Sequence, residues 1–104
     1  MNLLLIGIAS FYSVAGCLGC SPTLTMANGE RLSDSALTVA LAPANFKKYK
    51  NQMVKIKNLK NGKFVYAKVT DSGGFEKYNR VADLSLATKL ALDCSNLCKV
   101  EVSK

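Results

Sequence analysis

Residues Val54–Asp71 read VKIKNLKNGKFVYAKVTD, two short alternating runs on either side of Asn61-Gly62. In the first run Val54 and Ile56 alternate with lysines, the period-2 pattern of a strand with one buried face and one wet face. In the second, Lys63 to Thr70, Val65, Ala67 and Val69 fall together on one face. An Asn-Gly pair between two such runs predicts a type I′ β-hairpin, whose two central residues both need positive φ. Asp71-Ser72-Gly73-Gly74 then breaks the return strand sharply.

Outward from this hairpin the signals remain short. Upstream, Ala36–Ala42 (ALTVALA) is an apolar run that fits a buried strand and one helical turn equally well. Ser21 to Asn45 is otherwise polar and irregular, broken by a turn at Ala27-Asn28-Gly29-Glu30, and Ile6 to Ser13 reads as a first strand. Downstream the period changes at Asp83. Leu84, Ala87, Leu90 and Ala91 share a helical face, with Asp83 placed as N-cap, and Lys99 to Val102 is a short closing strand. There is no internal repeat and no linker, so residues 1–104 are expected to form one β-rich domain, with residues 1–5 a remnant or a loose start.

Length and composition restrict what this domain can do. A chain of 104 residues builds one modest core, and its 49% hydrophobic content argues against wholesale disorder. The net charge of +7 is concentrated, because seven lysines lie between Lys47 and Lys63. Such a stretch suits an anionic polymer, although a solvated lysine face explains the charge alone equally well. No aromatic-interleaved RNA motif, helix-turn-helix pattern or zinc-finger histidine pair is present, so nucleic acid is not the expected partner. There is no histidine at all, which removes Ser–His and Cys–His dyads, HExxH sites and any histidine base. Proton transfer, if any occurs, falls to carboxylates. With no tryptophan, sugar stacking falls to tyrosine or phenylalanine.

The four cysteines form a CxxC pair, Cys17 and Cys20, and a CxxxC pair, Cys94 and Cys98. An even count in a short exported chain reads as disulfides, with the N-terminal pair joined to the C-terminal pair across a long loop. Bonds within each pair would tie down little. The competing reading is a four-thiolate zinc site; a thioredoxin-type redox motif lacks its βαβ unit. Leu3 to Gly16 also admits two readings. Val14-Ala15-Gly16-Cys17 resembles a lipoprotein signal ending in a lipidated cysteine, which would place a membrane anchor at Cys17. No lysine or arginine precedes the apolar stretch, however, which favours a first strand.

Several segments, taken in order, resemble the rare lipoprotein A (RlpA) domain. They are Gly7-Ile8-Ala9-Ser10-Phe11-Tyr12, Ala27-Asn28-Gly29-Glu30, Leu37-Thr38-Val39-Ala40, the hairpin Val54–Asp71, and Arg80-Val81-Ala82-Asp83-Leu84-Ser85. The resemblance runs from about Gly7 to Val102. It implies a six-stranded double-psi β-barrel with one or two short helices, the fold of the first domain of expansins and of family 45 endoglucanases. It also implies an extracytoplasmic protein acting on peptidoglycan or another cell-wall polysaccharide. Several members are lytic transglycosylases that prefer glycan strands stripped of stem peptides; no cofactor or metal is expected for this chain.

Carried over residue by residue, the resemblance makes Asp71 the first candidate for the catalytic acid and Glu30 the second. Tyr12, Asn28, Ser72 and Gly73 become candidate glycan contacts, and Asp83 a structural cap. Each has a plainer alternative: Asp71 as a turn-opening aspartate, Glu30 as a loop carboxylate beside Arg31, Tyr12 as core. A lytic transglycosylase protonates the glycosidic oxygen and closes a 1,6-anhydro ring with the sugar's own C6 hydroxyl, so the two-carboxylate spacing of hydrolases is relaxed. The chain departs from the family where a histidine usually follows the LTAA segment (here Leu41). It also departs at Ser72 and Gly74, which replace the Arg and Pro of a DRGP element, and in the lysine-rich Asn45–Gln52. The expectation is therefore a transglycosylase, with a non-catalytic, expansin-like binding or loosening module as the alternative. A monomer is the default.

Overall fold

A computed structural model describes residues 3–13, 25–73 and 80–104. Its elements are β1 (Leu4–Tyr12), β2 (Thr38–Leu41), α1 (Pro43–Tyr49), β3 (Met53–Asn58), β4 (Phe64–Ser72), β5 (Arg80–Ser85), α2 (Leu86–Ala91) and β6 (Cys98–Ser103). The six strands close into a barrel in the order β1-β5-β2-β4-β3-β6. β1 runs parallel to β5 and β2 parallel to β4, and every other neighbouring pair is antiparallel.

Alternation fills the interior. Val54 and Ile56 on β3, Ala67 and Val69 on β4, and Val100 and Val102 on β6 are fully or almost fully buried, as the hairpin pattern predicts. Branched side chains predominate there because they pack well on a pleated surface and lose little rotamer freedom in a strand. β1 begins at Leu4, and Leu3 is already in the core, so residues 3–5 are part of the barrel and not a loose start.

Two β-bulges set the outward-facing residues. Val39 on β2 pairs with Val69 on β4, but the next residue, Ala40, pairs with Asp71, so Thr70 is an extra residue. Strict alternation would place Asp71 on the same face as the core residue Val69; the bulge turns it out of the barrel. On the other parallel pair Ile8 matches Arg80 and Ala9 matches Ala82, leaving Val81 extra. Gly7 makes room for it: a Cβ at position 7 would lie 2.7 Å from Val81 Cγ1.

Local structure departs from the sequence reading in four places. The hairpin turn is not type I′. Asn58 and Lys63 close a four-residue loop, with Gly62 N–H donating to Asn58 O (2.8 Å), and Gly62 at φ 79° adopts positive φ while Asn61 does not. The Asn58 and Asn61 carboxamides accept from the Lys60 and Lys63 amides, which holds the longer loop in place.

The second helix starts later than expected. β5 stays paired with β1 as far as Ser85, so Asp83 and Leu84 are strand residues and Asp83 is not the N-cap. Ser85 is the cap: its Oγ accepts from Thr88 N–H, donates to Ala36 O and meets Thr88 Oγ1. The helix buries Thr88, whose hydroxyl donates to Thr38 O, while Leu90 points into water.

A helix, α1, replaces the lysine-rich irregular stretch. Pro43 in its first turn, Lys47 and Lys48 in its last, and an inward Phe46 and Tyr49 account for it.

Finally, Cys94 and Cys98 are disulfide-bonded to each other, not to the N-terminal pair. The chain turns back after α2 through Asp93 at positive φ, and this brings the two Cα atoms within 5.5 Å, inside the usual bridging range. A four-thiolate zinc site is thereby excluded, since two of its sulfurs are joined together. Cys17, Cys20 and Gly74 lie outside the described residues. Among the described residues no helix is long and apolar enough to cross a membrane, and no group of three His, Cys, Asp or Glu is arranged to hold a metal.

Candidate functional site

The bulges assemble a polar row on the outside of the barrel. Ala40 on β2 is flanked by Asp71 on β4 and by Asp83 on β5, and Asp83 is flanked in turn by Ser10 on β1. Ala40 is 4% exposed: on this outer side it packs with Tyr12, Met26 and Leu32 in a small second core, which fastens the 25–32 loop against the barrel.

The two aspartates occupy different surroundings. Asp71 Oδ1 accepts from the backbone N–H of Ala27 (3.0 Å) and of Ser72 (2.9 Å). Asp83 Oδ1 accepts from Ser10 Oγ at 2.9 Å. Burial is the largest influence on Asp83 and pushes its carboxyl above the usual aspartate value; the Ser10 hydroxyl and Arg80 oppose this, and the charge of Asp71 adds to it.

Tyr12 does not present a ring for stacking, because it is 7% exposed. Burial raises its phenol to about 12, with the nearby Asp71 and Asp83 charges adding and the Thr38 and Thr70 hydroxyls opposing. None of the contacts between these hydroxyls has hydrogen-bond geometry: among the described residues Tyr12 Oη and Thr38 Oγ1 are buried without a partner. Tyr12 is therefore a protonated phenol buried in the second core.

Glu30 faces elsewhere. It is exposed, and its carboxylate accepts from Lys68 Nζ at 2.7 Å. That hydrogen bond, followed by one from Asn28, holds it below the usual glutamate value. Glu30 reaches the row only through its loop, whose Ala27 amide donates to Asp71. Asn28 is also occupied by structure: its carboxamide donates to Asn51 Oδ1 and accepts from Glu30 N–H, and its own N–H donates to Thr70 O. Gly29, at φ 93°, completes this turn with a conformation that suits glycine. Ser72 ends β4 just beyond Asp71, and the following Gly73 donates its N–H to Leu41 O. Leu41 itself is fully buried in the barrel interior, so its side chain does not reach the row.

Sequence reasoning thus located Asp71 but assigned Asp83 the wrong setting. The available signal was Ser10: residues 10 and 83 become neighbours once β1 and β5 are paired in parallel.

The fold is shared with solved structures. The chain aligns over 96% of its length with an apo expansin from Clavibacter michiganensis, at 20% identity and a TM-score of 0.66, and spans about half (49%) of that protein. This chain folds as a double-psi β-barrel. It also aligns over 98% of its length with the Streptomyces papain inhibitor SPI, at 19% identity and a TM-score of 0.66, covering 93% of that chain. No protein-family model and no curated protein matches the sequence.

Proposed function

We propose that this barrel is an extracytoplasmic cell-wall module that holds a glycan strand across the Asp71–Ala40–Asp83 row and cleaves it as a lytic transglycosylase. One observation carries the reading: two carboxylates flank Ala40 on one row, Asp71 bound by backbone amides and Asp83 bound by the Ser10 hydroxyl. In this reading Asp83, whose carboxyl burial pushes above the usual aspartate value, gives its proton to the glycosidic oxygen as the bond from C1 breaks. The C6 hydroxyl of the same sugar attacks C1 and closes the 1,6-anhydro ring, and its proton passes to the Asp71 carboxylate. No water is consumed, so no histidine or metal is needed to activate one. The Cys94–Cys98 disulfide supports an oxidising location.

Binding without cleavage is the second reading. It is supported by the expansin likeness and by the structural use of Asp71, whose Oδ1 already accepts from two backbone amides. Incubation with peptidoglycan stripped of stem peptides separates the two: anhydro-ended fragments that vanish in Asp83→Asn support the enzyme. Retention on the wall with no fragments supports the binder.

A further inference from the structure

The β3–β4 hairpin has an outer face that the groove does not use. Phe64 and Tyr66 on β4 are 53% and 55% exposed, unusual for two neighbouring aromatic rings. On β3, Lys57 pairs with Phe64 and Lys55 with Tyr66, so two lysines stand beside two rings. Lys55 Nζ lies 4.4 Å from the Phe64 ring centre, and the rings meet edge to face with centres 6.2 Å apart. Among the described residues neither lysine forms an ion pair; the nearest acidic register position is Glu101, across from Lys57 on β6.

Burial does not explain rings in water, and the ring–lysine contacts pre-order both groups. We infer that this face binds an acidic polysaccharide, a polymer of sugar acids whose carboxylates meet Lys55 and Lys57 while its ring faces rest on Phe64 and Tyr66. Charge complementarity selects an anionic occupant, since seven lysines lie between positions 47 and 63. The rings select sugars over an open-chain polyol phosphate, which supplies charge without a flat apolar face. Their perpendicular arrangement, 89° between planes, gives no pair of parallel platforms for successive nucleic-acid bases. This inference rests on the extracytoplasmic glycan reading above but uses different residues, so the two fail separately.

The test is affinity electrophoresis of the whole chain in gels containing polygalacturonate, a neutral cellulose derivative, or no polymer. The variants are Phe64→Ala/Tyr66→Ala, Lys55→Gln/Lys57→Gln and Asp71→Asn/Asp83→Asn, with single-stranded DNA as competitor. All substituted side chains are at least partly exposed, and a thermal melt of each variant checks the fold. Retardation by polygalacturonate alone, weakened about tenfold by either hairpin double variant and by salt but unchanged in the aspartate variant, is the expected result. Equal retardation by the neutral polymer, unchanged binding in both hairpin variants, or displacement by DNA at lower concentration than by free oligogalacturonate would overturn it.

Discussion

Asp71 and Asp83 reach the same outer row from strands on opposite sides of β2, each paired with Ala40. A one-residue bulge at Thr70 puts the first there, and the parallel pairing of β5 with β1 gives the second its Ser10 donor. Deleting Thr70 would make Asp71 follow Val69 directly and keep it opposite Ala40, so the row would survive, but it would remove a fully buried residue whose hydroxyl and carbonyl bond to Met26 and Asn28 of the 25–32 loop. The expected outcome for that deletion is a folded but destabilised barrel, with a lower thermal midpoint by circular dichroism.

Ser85 carries more of the fold than its size suggests. It is fully buried; its Oγ accepts from the Thr38 and Thr88 amides and donates to Ala36 O. Ser85→Ala removes a helix cap and leaves buried amides unpaired, at a cost of about 2–3 kcal/mol. Denaturant unfolding measures it. Ser85→Thr keeps the oxygen and is expected to recover part of the loss.

Gly7 and Val81 form a complementary pair. Gly7→Ala puts a methyl group 2.7 Å from Val81 Cγ1 on a branched side chain with little freedom to retreat. The expected cost is about 1–3 kcal/mol. Adding Val81→Ala is expected to restore part of it, a coupling that a double-mutant cycle reads directly.

The Cys94–Cys98 bridge spans a separation of only 4 residues, so its effect on the unfolded chain is limited. Chain-entropy scaling for so short a loop gives about 2 kcal/mol. Replacing both cysteines by serine is expected to lower the thermal midpoint while leaving the barrel folded.

Much of the barrel was legible because alternation depends on burial alone: Val54, Ile56, Ala67 and Val69 were placed correctly from spacing. What was not legible depends on pairing across distance. Nothing near Asp83 in the chain indicates that Ser10 will lie beside it, and the local helix signal from Leu84 onward outweighed the strand that β1 imposes. The four cysteines mislead for the same reason: closing a long loop is favourable in the unfolded-state calculation, but the turn after α2 brings Cys94 to Cys98 first. In the site, Asp71 was recognisable at a strand end, whereas the pairing of Glu30 with Lys68 depends on a loop folding over β4.

Asp83 also gives a pH signature. Its carboxyl titrates above the ordinary aspartate value of 3.8, so its contribution to stability is complete below that value and is lost as pH rises through the raised one. Glu30 acts oppositely, because its lowered value makes its ion pair fade as pH falls. At neutral pH Asp83→Asn is therefore expected to leave the barrel equally stable or more so, by up to roughly 1 kcal/mol. The difference from the wild type should shrink as pH falls toward 4. Thermal midpoints from acidic to neutral pH test this.

The most direct test is mass analysis of soluble products from stripped peptidoglycan incubated with the wild type, Asp83→Asn and Asp71→Asn. The predicted result is 1,6-anhydro-ended fragments from the wild type, with a yield that falls as pH rises through the Asp83 titration. Both variants should release none while still binding the wall. Fragments released undiminished by Asp83→Asn would contradict the account.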